Sequence, residues 1–511
     1  MPSAPFARPS TEFAMRALAR FFREHGGAFA QISALLLLPC FWHAHIQAGD
    51  LGSHVYNAWL AQLIERHQVS GLAIAGQWNN ILFDLMLLRA GDLFGFLIAE
   101  KICVSVAVLV FFWGSFSFLA AISDRLPWSV SPLLGVLTYG YVFHMGFMNF
   151  YLSLGLAFFA LSLVWRGGEG NWIVAPAVAA FALLAHPIGF LLIAVLSVYL
   201  VSSRALKGWS KLLLPVPPLI AMPVLRIYLQ RHEEFQADWG AANIFRLLGQ
   251  DQLNVFGAPY RFLATAMILW AAVCFLAVIY DWIFRAQVPA RSLRLAVELF
   301  LLAAYATVFI PENFRVSLYA GWIGLLVSRL TLVTAILLLL VLSSVRLPRS
   351  AVYGFSVIAI LFFGFLYRDT GKLNRLEASA RAAIQALAPG TRVAAVANAP
   401  SDWRSIFIHH SAERACIGRC FSFANYEPSS LQFRVRALPG NYYVTDSADT
   451  AESMSSGDYV VQSSDLPLTS LYQCDDSDFT RICALPLKAG QKTEDPESAP
   501  AAADPPPLPS K

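Results

Sequence analysis

Apolar stretches long enough to cross a bilayer recur along this chain, separated by short polar breaks. A membrane helix needs about 20 apolar residues. Runs near that length fall at 28–46, 94–121, 128–146, 149–165, 172–185, 188–203, 209–227, 262–284, 296–311, 325–345 and 351–367. The pattern predicts a polytopic α-helical membrane protein with about eleven transmembrane helices. The two short runs that meet at His186-Pro187 are expected to be a broken pair that does not fully cross.

The pattern changes after Tyr367, where charged and apolar positions begin to mix. Leu376, Ala380, Ile384 and Leu387 recur at helical spacing, and Pro389-Gly390 stops that helix. Val393-Ala394-Ala395-Val396 reads as a buried strand, with 441–444 and 458–461 as further strands. A helix followed by short strands predicts a small C-terminal α/β domain over 368–487. The tail from Lys488 to Lys511, rich in Pro, Ala, Glu and Asp, is expected to be disordered. The expected organisation is an N-terminus over 1–27, a transmembrane domain over 28–367 with a first loop at 47–93, then the α/β domain and the tail.

Composition narrows the class. Of 511 residues, 57% are hydrophobic and 14% charged, where soluble chains carry about 25% charged residues. The cations set a direction. Arg16, Arg20 and Arg23 precede the first run, and Arg125, Arg166, Arg204, Lys207, Arg346 and Arg349 share one set of short loops. The positive-inside rule makes that side cytoplasmic. Residues 47–93, 228–261, 311–328 and all that follows Tyr367 are then expected on the outer side, the periplasmic face of a bacterial inner membrane. The first run lacks a small-residue cleavage site and is expected to stay as a membrane helix. No basic tract interleaved with aromatics suggests nucleic acid. No phosphate loop, dinucleotide fingerprint, nucleophile elbow or zinc-protease helix is present.

Candidate chemistry concentrates where the first apolar run ends, in Gly49-Asp50-Leu51-Gly52-Ser53-His54-Val55-Tyr56-Asn57. An ionisable residue at the mouth of a membrane helix is a functional candidate. Asp50 can also serve as a helix N-cap. His54, four residues on, would share its face and could form a carboxylate–imidazole pair. Such a pair could hold a divalent cation, making Asp50 and His54 the metal candidates, or a phosphate-bearing head group. Alternatively Asp50 acts as general base while His54 orients the acceptor. Residues 52–67 and 79–89 read as two amphipathic helices lying in the interface, which would roof a groove suited to a lipid with a polar head. Asn57, His144, Asn149, His186 and Arg329 complete the substrate-binding candidates, with Arg329, inside an apolar run, placed either to snorkel to the interface or to meet a lipid phosphate. Four cysteines lie in the C-terminal region: Cys416, Cys420, Cys474 and Cys483. An outer location favours disulfides, with Cys416–Cys420 and Cys474–Cys483 as the leading pairing. Other pairings and a zinc site stay open at this point.

These features resemble the GT-C superfamily of polytopic glycosyltransferases. That family shows a basic cytoplasmic N-terminus, one helix, an acid in the first outer loop, two interfacial helices and many further spans. Often a C-terminal outer domain follows. The resemblance covers nearly the whole chain. Many members carry two acids close together, where this chain has Asp50 alone. The resemblance implies a polyprenyl-phosphate-linked sugar as donor, an acceptor that is left open, Asp50 as the base that deprotonates the acceptor hydroxyl, and Arg329 on the donor phosphate. A lipid or envelope-polymer transporter or flippase, or a non-catalytic protein of envelope assembly, is the competing expectation. A transporter would show paired repeats and charges deep in several spans, and neither is visible in the sequence.

Overall fold

The computed structural model describes residues 11–494 apart from 233, 286–290, 317–322, 406–407, 431 and 476. The expected tail therefore lies mostly outside the described residues. Residues 488–494 are an exception, packed by bonds such as Thr493 N–H to the Tyr459 carbonyl at 3.0 Å.

Helices dominate. They are α1 (Thr11–Phe41), α2 (Leu51–Glu65), α3 (Leu82–Phe94), α4 (Phe96–Ser123), α5 (Ser131–Thr138), α6 (Tyr141–His144), α7 (Met148–Arg166) and α8 (Glu169–Ala185). After them come α9 (Pro187–Ala205), α10 (Val216–Arg231), α11 (Gly257–Arg285), α12 (Arg291–Phe309), α13 (Leu326–Ser343), α14 (Arg349–Gln385), α15 (His410–Ala415) and α16 (Ala448–Ser456). Among the described residues, eight helices are long and apolar enough to cross a membrane: α4, α7, α9, α10 with the turn before it, α11, α12, α13 and α14. On α10 no residue is buried, and Ile220, Val224, Leu225 and Ile227 face outward. An unburied apolar surface of this kind suits lipid contact.

Three expected spans resolve differently. Residues 28–46 fall mostly in α1, which ends at Phe41. Residues 172–185 lie in α8, 17 residues long, and the chain breaks at His186 in extended conformation as the sequence suggests, but the other half of the expected broken pair, α9, is 19 residues long and apolar enough to cross. Residues 128–146 do not form one helix. Gly140 is extended (φ −73°, ψ −173°), so the run divides into α5 and α6. The Gln252 side chain accepts from the Val142 N–H at 3.3 Å, satisfying a backbone donor beside the break.

The C-terminal region is less separate than its composition suggests. α14 runs unbroken through Tyr367, because Phe355, Phe362, Leu366, Leu373, Leu376, Ala380 and Ile384 keep one buried stripe at helical spacing. Beyond it lie β4 (Thr391–Val396), β5 (Cys420–Ser422), β7 (Thr469–Gln473) and β8 (Ile482–Pro486), in the order β5-β4-β7-β8. β4 pairs parallel with β5 and β7, and β8 pairs antiparallel with β7. β4 is almost wholly buried, as a central parallel strand should be. Residues 441–444 and 458–461 are not the expected strands. The Asn441 side chain accepts from the Tyr443 and Val444 N–H groups at 3.0 and 2.9 Å and turns the chain. In 458–461 only Val460 bridges, to Lys492.

Two further ribbons complete the picture. β1 (Leu72–Ile74) pairs with β6 (Val435–Ala437), joining the first loop to the C-terminal region. β2 (Phe235–Asp238) pairs with β3 (Asn313–Val316). Disulfides join Cys416 to Cys420 and Cys474 to Cys483, the leading expected pairing. Cys40, Cys103 and Cys274 are free and buried.

Candidate functional site

The first loop does not lie open as a roof. α2 is buried from Leu51 through Gln62, polar residues included. The expectation of an interfacial amphipathic helix over 52–67 fails because Ser53, His54 and Asn57 are claimed by other parts of the chain. Asn57 exchanges amide bonds with Asn425, at 2.9 and 3.3 Å, and its amide also donates to the Ser53 hydroxyl at 3.1 Å. Ser53 donates to Glu427 at 2.9 Å. Asn57, read from sequence as a substrate contact, thus spends its amide on docking the C-terminal region. The second helix starts later than expected, at Leu82, because Asn80 takes a left-handed turn (φ 54°).

The glycines around Asp50 mark close backbone approaches. A Cβ on Gly49 would run into the Met145 carbonyl, and one on Gly52 into the His410 carbonyl. Asp50 N–H donates to that Met145 carbonyl at 3.1 Å. The Asp50 side chain makes no capping bond to α2. One carboxylate oxygen instead lies 3.4 Å from Nε2 of His410. His410 Nδ1 is 2.8 Å from Glu413, whose other oxygen accepts from the Ser422 hydroxyl at 3.2 Å. Burial works against charge on His410, but Glu413 and Asp50 outweigh it and hold the imidazole at about 10.

His54 does not pair with Asp50. Its Nδ1 meets Asp84 of α3 at 2.7 Å. Burial again opposes the charge, and the Asp84 carboxylate, with Glu427 and Asp50, lifts His54 to about 9. His54 is therefore an imidazolium donor at neutral pH, suited to orienting a ligand and not to taking a proton. Asp84 is itself fixed, its other oxygen accepting from the Asn149 amide at 2.8 Å. The Asn149 carbonyl oxygen accepts from the Phe83 N–H at 2.8 Å, which anchors the start of α3. Asn149, expected to bind substrate, orients an acid instead. Glu427 is pushed up to about 7, by burial first, against the pull of His54.

Asp50, Asp84, Glu413 and Glu427 all act on the Tyr426 hydroxyl, so these groups form one cluster. Exposure ranks its acids. The side chains of Asp50 and Asp84 are 14% and 17% exposed, against 2% for Glu413. Asp84 has both oxygens engaged, whereas Asp50 keeps Oδ2 without a protein hydrogen bond among the described residues. Asp50 is the acid best placed to take a proton from outside. Among the described residues, no group of three or more His, Cys, Asp and Glu side chains is arranged to hold a metal ion.

Arg329, near the start of α13, lies over the rings of Phe147 and Phe150, 4.5 and 5.3 Å from their centroids. The Asp50 carboxylate is close enough to act on it electrostatically. Its Nε is buried with no acceptor among the described residues. Its Nη1 lies 3.4 Å from Nε2 of His186. His186 caps α9, its Nδ1 accepting the Ile188 N–H at 3.2 Å. In a neutral imidazole that bond leaves the proton on Nε2. The Arg329 Nη1 and His186 Nε2 donors then face each other, with no protein acceptor between them among the described residues. His144 serves elsewhere. Its Nδ1 meets the Gln47 carbonyl at 3.0 Å, behind the turn that carries Asp50.

Sequence reasoning missed Asp84, His410, Glu413, Tyr426 and Glu427. Asp84 was the one with a local signal, as the acid in an otherwise apolar segment of the first loop. The others arrive from far along the chain. No family model, curated protein or solved structure matches this chain.

Proposed function

We propose that the chain is an integral-membrane glycosyltransferase that moves a sugar from a polyprenyl-phosphate donor to an acceptor hydroxyl on the outer face of the membrane. The observation that carries this reading is the juxtaposition of Asp50 with Arg329: among the described residues, a carboxylate oxygen without a protein hydrogen bond lies within electrostatic reach of a guanidinium whose Nε has no acceptor. Transfer requires both. The acceptor hydroxyl gives its proton to a carboxylate as its oxygen attacks the anomeric carbon. The anomeric carbon–oxygen bond breaks, and the departing lipid phosphate collects negative charge that a cation must meet. Arg329 and the Nε2–H of His186 suit that phosphate. His54, charged and tied to Asp84, suits orientation of the sugar or the acceptor. In this reading the basic N-terminus is cytoplasmic and the C-terminal region is periplasmic, as in the GT-C enzymes.

Binding of polyprenyl phosphate to the detergent-solubilised protein tests the phosphate site without knowledge of the acceptor. A hydrogen bond to a charged group contributes about 1.5–3 kcal/mol. Arg329→Ala should therefore weaken binding by roughly 10- to 100-fold. Equal affinity in wild type and Arg329→Ala would remove the arginine from the donor site.

A further inference from the structure

The acid that the sequence places in the first loop has its nearest charged partner more than three hundred residues away. We infer that His410, held by Glu413, is the positioning residue for Asp50, so that the C-terminal region completes the base. This rests on the glycosyltransferase reading above.

Five observations support it. Asp50 precedes α2, where an acid ordinarily bonds the free backbone N–H groups, yet it makes no such bond. Its Oδ1 is directed to His410 Nε2. His410 is fixed in turn, because its Nδ1 bonds Glu413 and Glu413 accepts from Ser422. The approach is built into the backbone, since Gly52 leaves room for the His410 carbonyl where a Cβ would collide. Disulfide Cys416–Cys420 links the end of α15 to β5, the elements that carry His410, Glu413 and Ser422. Each link limits the freedom of the next. One Asp50 oxygen is tied down, and the other keeps no protein hydrogen bond among the described residues, free to accept from an acceptor hydroxyl. His410 touches neither sugar nor acceptor in this account and acts only through Asp50.

The test uses the full-length protein in proteoliposomes with a polyprenyl-phosphate-linked hexose and a crude envelope extract as acceptor source. Misplacing a catalytic group by about 1 Å can cost on the order of 100-fold in rate. His410→Ala should lower kcat by that order and leave the KM for the donor within about twofold. His410→Gln, which keeps an N–H donor for Asp50, should recover most of the rate. In an Asp50→Asn background His410→Ala should cost nothing further, because residues that act as a unit are not additive. A His410→Ala enzyme as fast as wild type would overturn the assignment, as would a full additional loss on Asp50→Asn. A rise in donor KM with kcat preserved would make His410 a binding residue and overturn it too. Wild-type protein that consumes no polyprenyl-phosphate sugar would instead defeat the glycosyltransferase reading, and the positioning role with it.

Discussion

The two imidazoles of the site are charged for the same reason, and that has a measurable consequence. His54 and His410 are buried, which alone would strip their protons, yet each lies against carboxylates that hold it at about 9 and about 10. In the unfolded chain a histidine titrates near ~6.5. Both folded values lie above the unfolded one, so the folded state binds more protons. The stability they contribute is complete below about pH 6.5 and disappears as pH rises through about 9 to 10. Glu427, pushed up to about 7, acts in the same direction at lower pH, because its ionisation is costlier folded than unfolded. The thermal midpoint in detergent should therefore fall as pH is raised from 7 to 10. In Asp84→Asn the alkaline part of that fall should shrink, since the main charge holding His54 is gone. A midpoint flat across this range in wild type would contradict the charged assignment.

At the scale of elements, the Gly-Asp-Leu-Gly sequence shows what was legible and what was not. Its departure from an apolar run drew attention to Asp50, and the structure puts Asp50 in a cluster of ionisable groups. The i, i+4 spacing suggested that His54 would pair with Asp50. Helical periodicity gives only a shared face, and α3 brings Asp84 closer to His54 than Asp50 comes. Periodicity also mistook α2 for an interfacial helix, because Ser53, His54 and Asn57 look solvent-facing until their distant partners are known. His410, Glu413, Tyr426 and Glu427 sit in ordinary polar contexts, and no local pattern tells which of them will fold back onto the first loop. The glycines were the one local trace of that contact. Gly52→Ala would press a methyl against the His410 carbonyl, and a backbone atom cannot turn aside as a side chain does. Overpacking of this kind costs about 1–3 kcal/mol. A thermal midpoint several degrees lower and slower donor turnover are expected. A variant with the wild-type melt would show that α15 can move away from α2 at little cost.

Across the whole molecule, the apolar spans were legible because length and composition determine them almost alone. Of the three that resolve differently, 128–146 divides at Gly140, where a Cβ would press on the Gln252 carbonyl. The C-terminal region was legible as a composition shift but not as a partner of the membrane domain. Its attachment is a buried network. Arg414 of α15 bonds Glu377 of α14 at 3.0 Å, Glu100 of α4 at 3.0 Å and the Ile46 carbonyl at 2.9 Å. Glu100 also accepts from the Ile46 N–H at 2.7 Å. Removing one member of a buried pair typically costs about 3–5 kcal/mol, so this network holds the first loop, two long helices and the C-terminal region in register. That register is what brings His410 and Glu427 to Asp50. The proposed role of Asp50, in this assembled setting, is to take the acceptor's proton as a sugar leaves a lipid phosphate. Its most direct measurement follows transfer of labelled sugar from a polyprenyl-phosphate donor in proteoliposomes, comparing wild type with Asp50→Asn. General-base catalysis is worth about 10²- to 10⁴-fold, so a loss of at least about 100-fold is expected in Asp50→Asn with donor binding retained. Transfer by Asp50→Asn at the wild-type rate would contradict it.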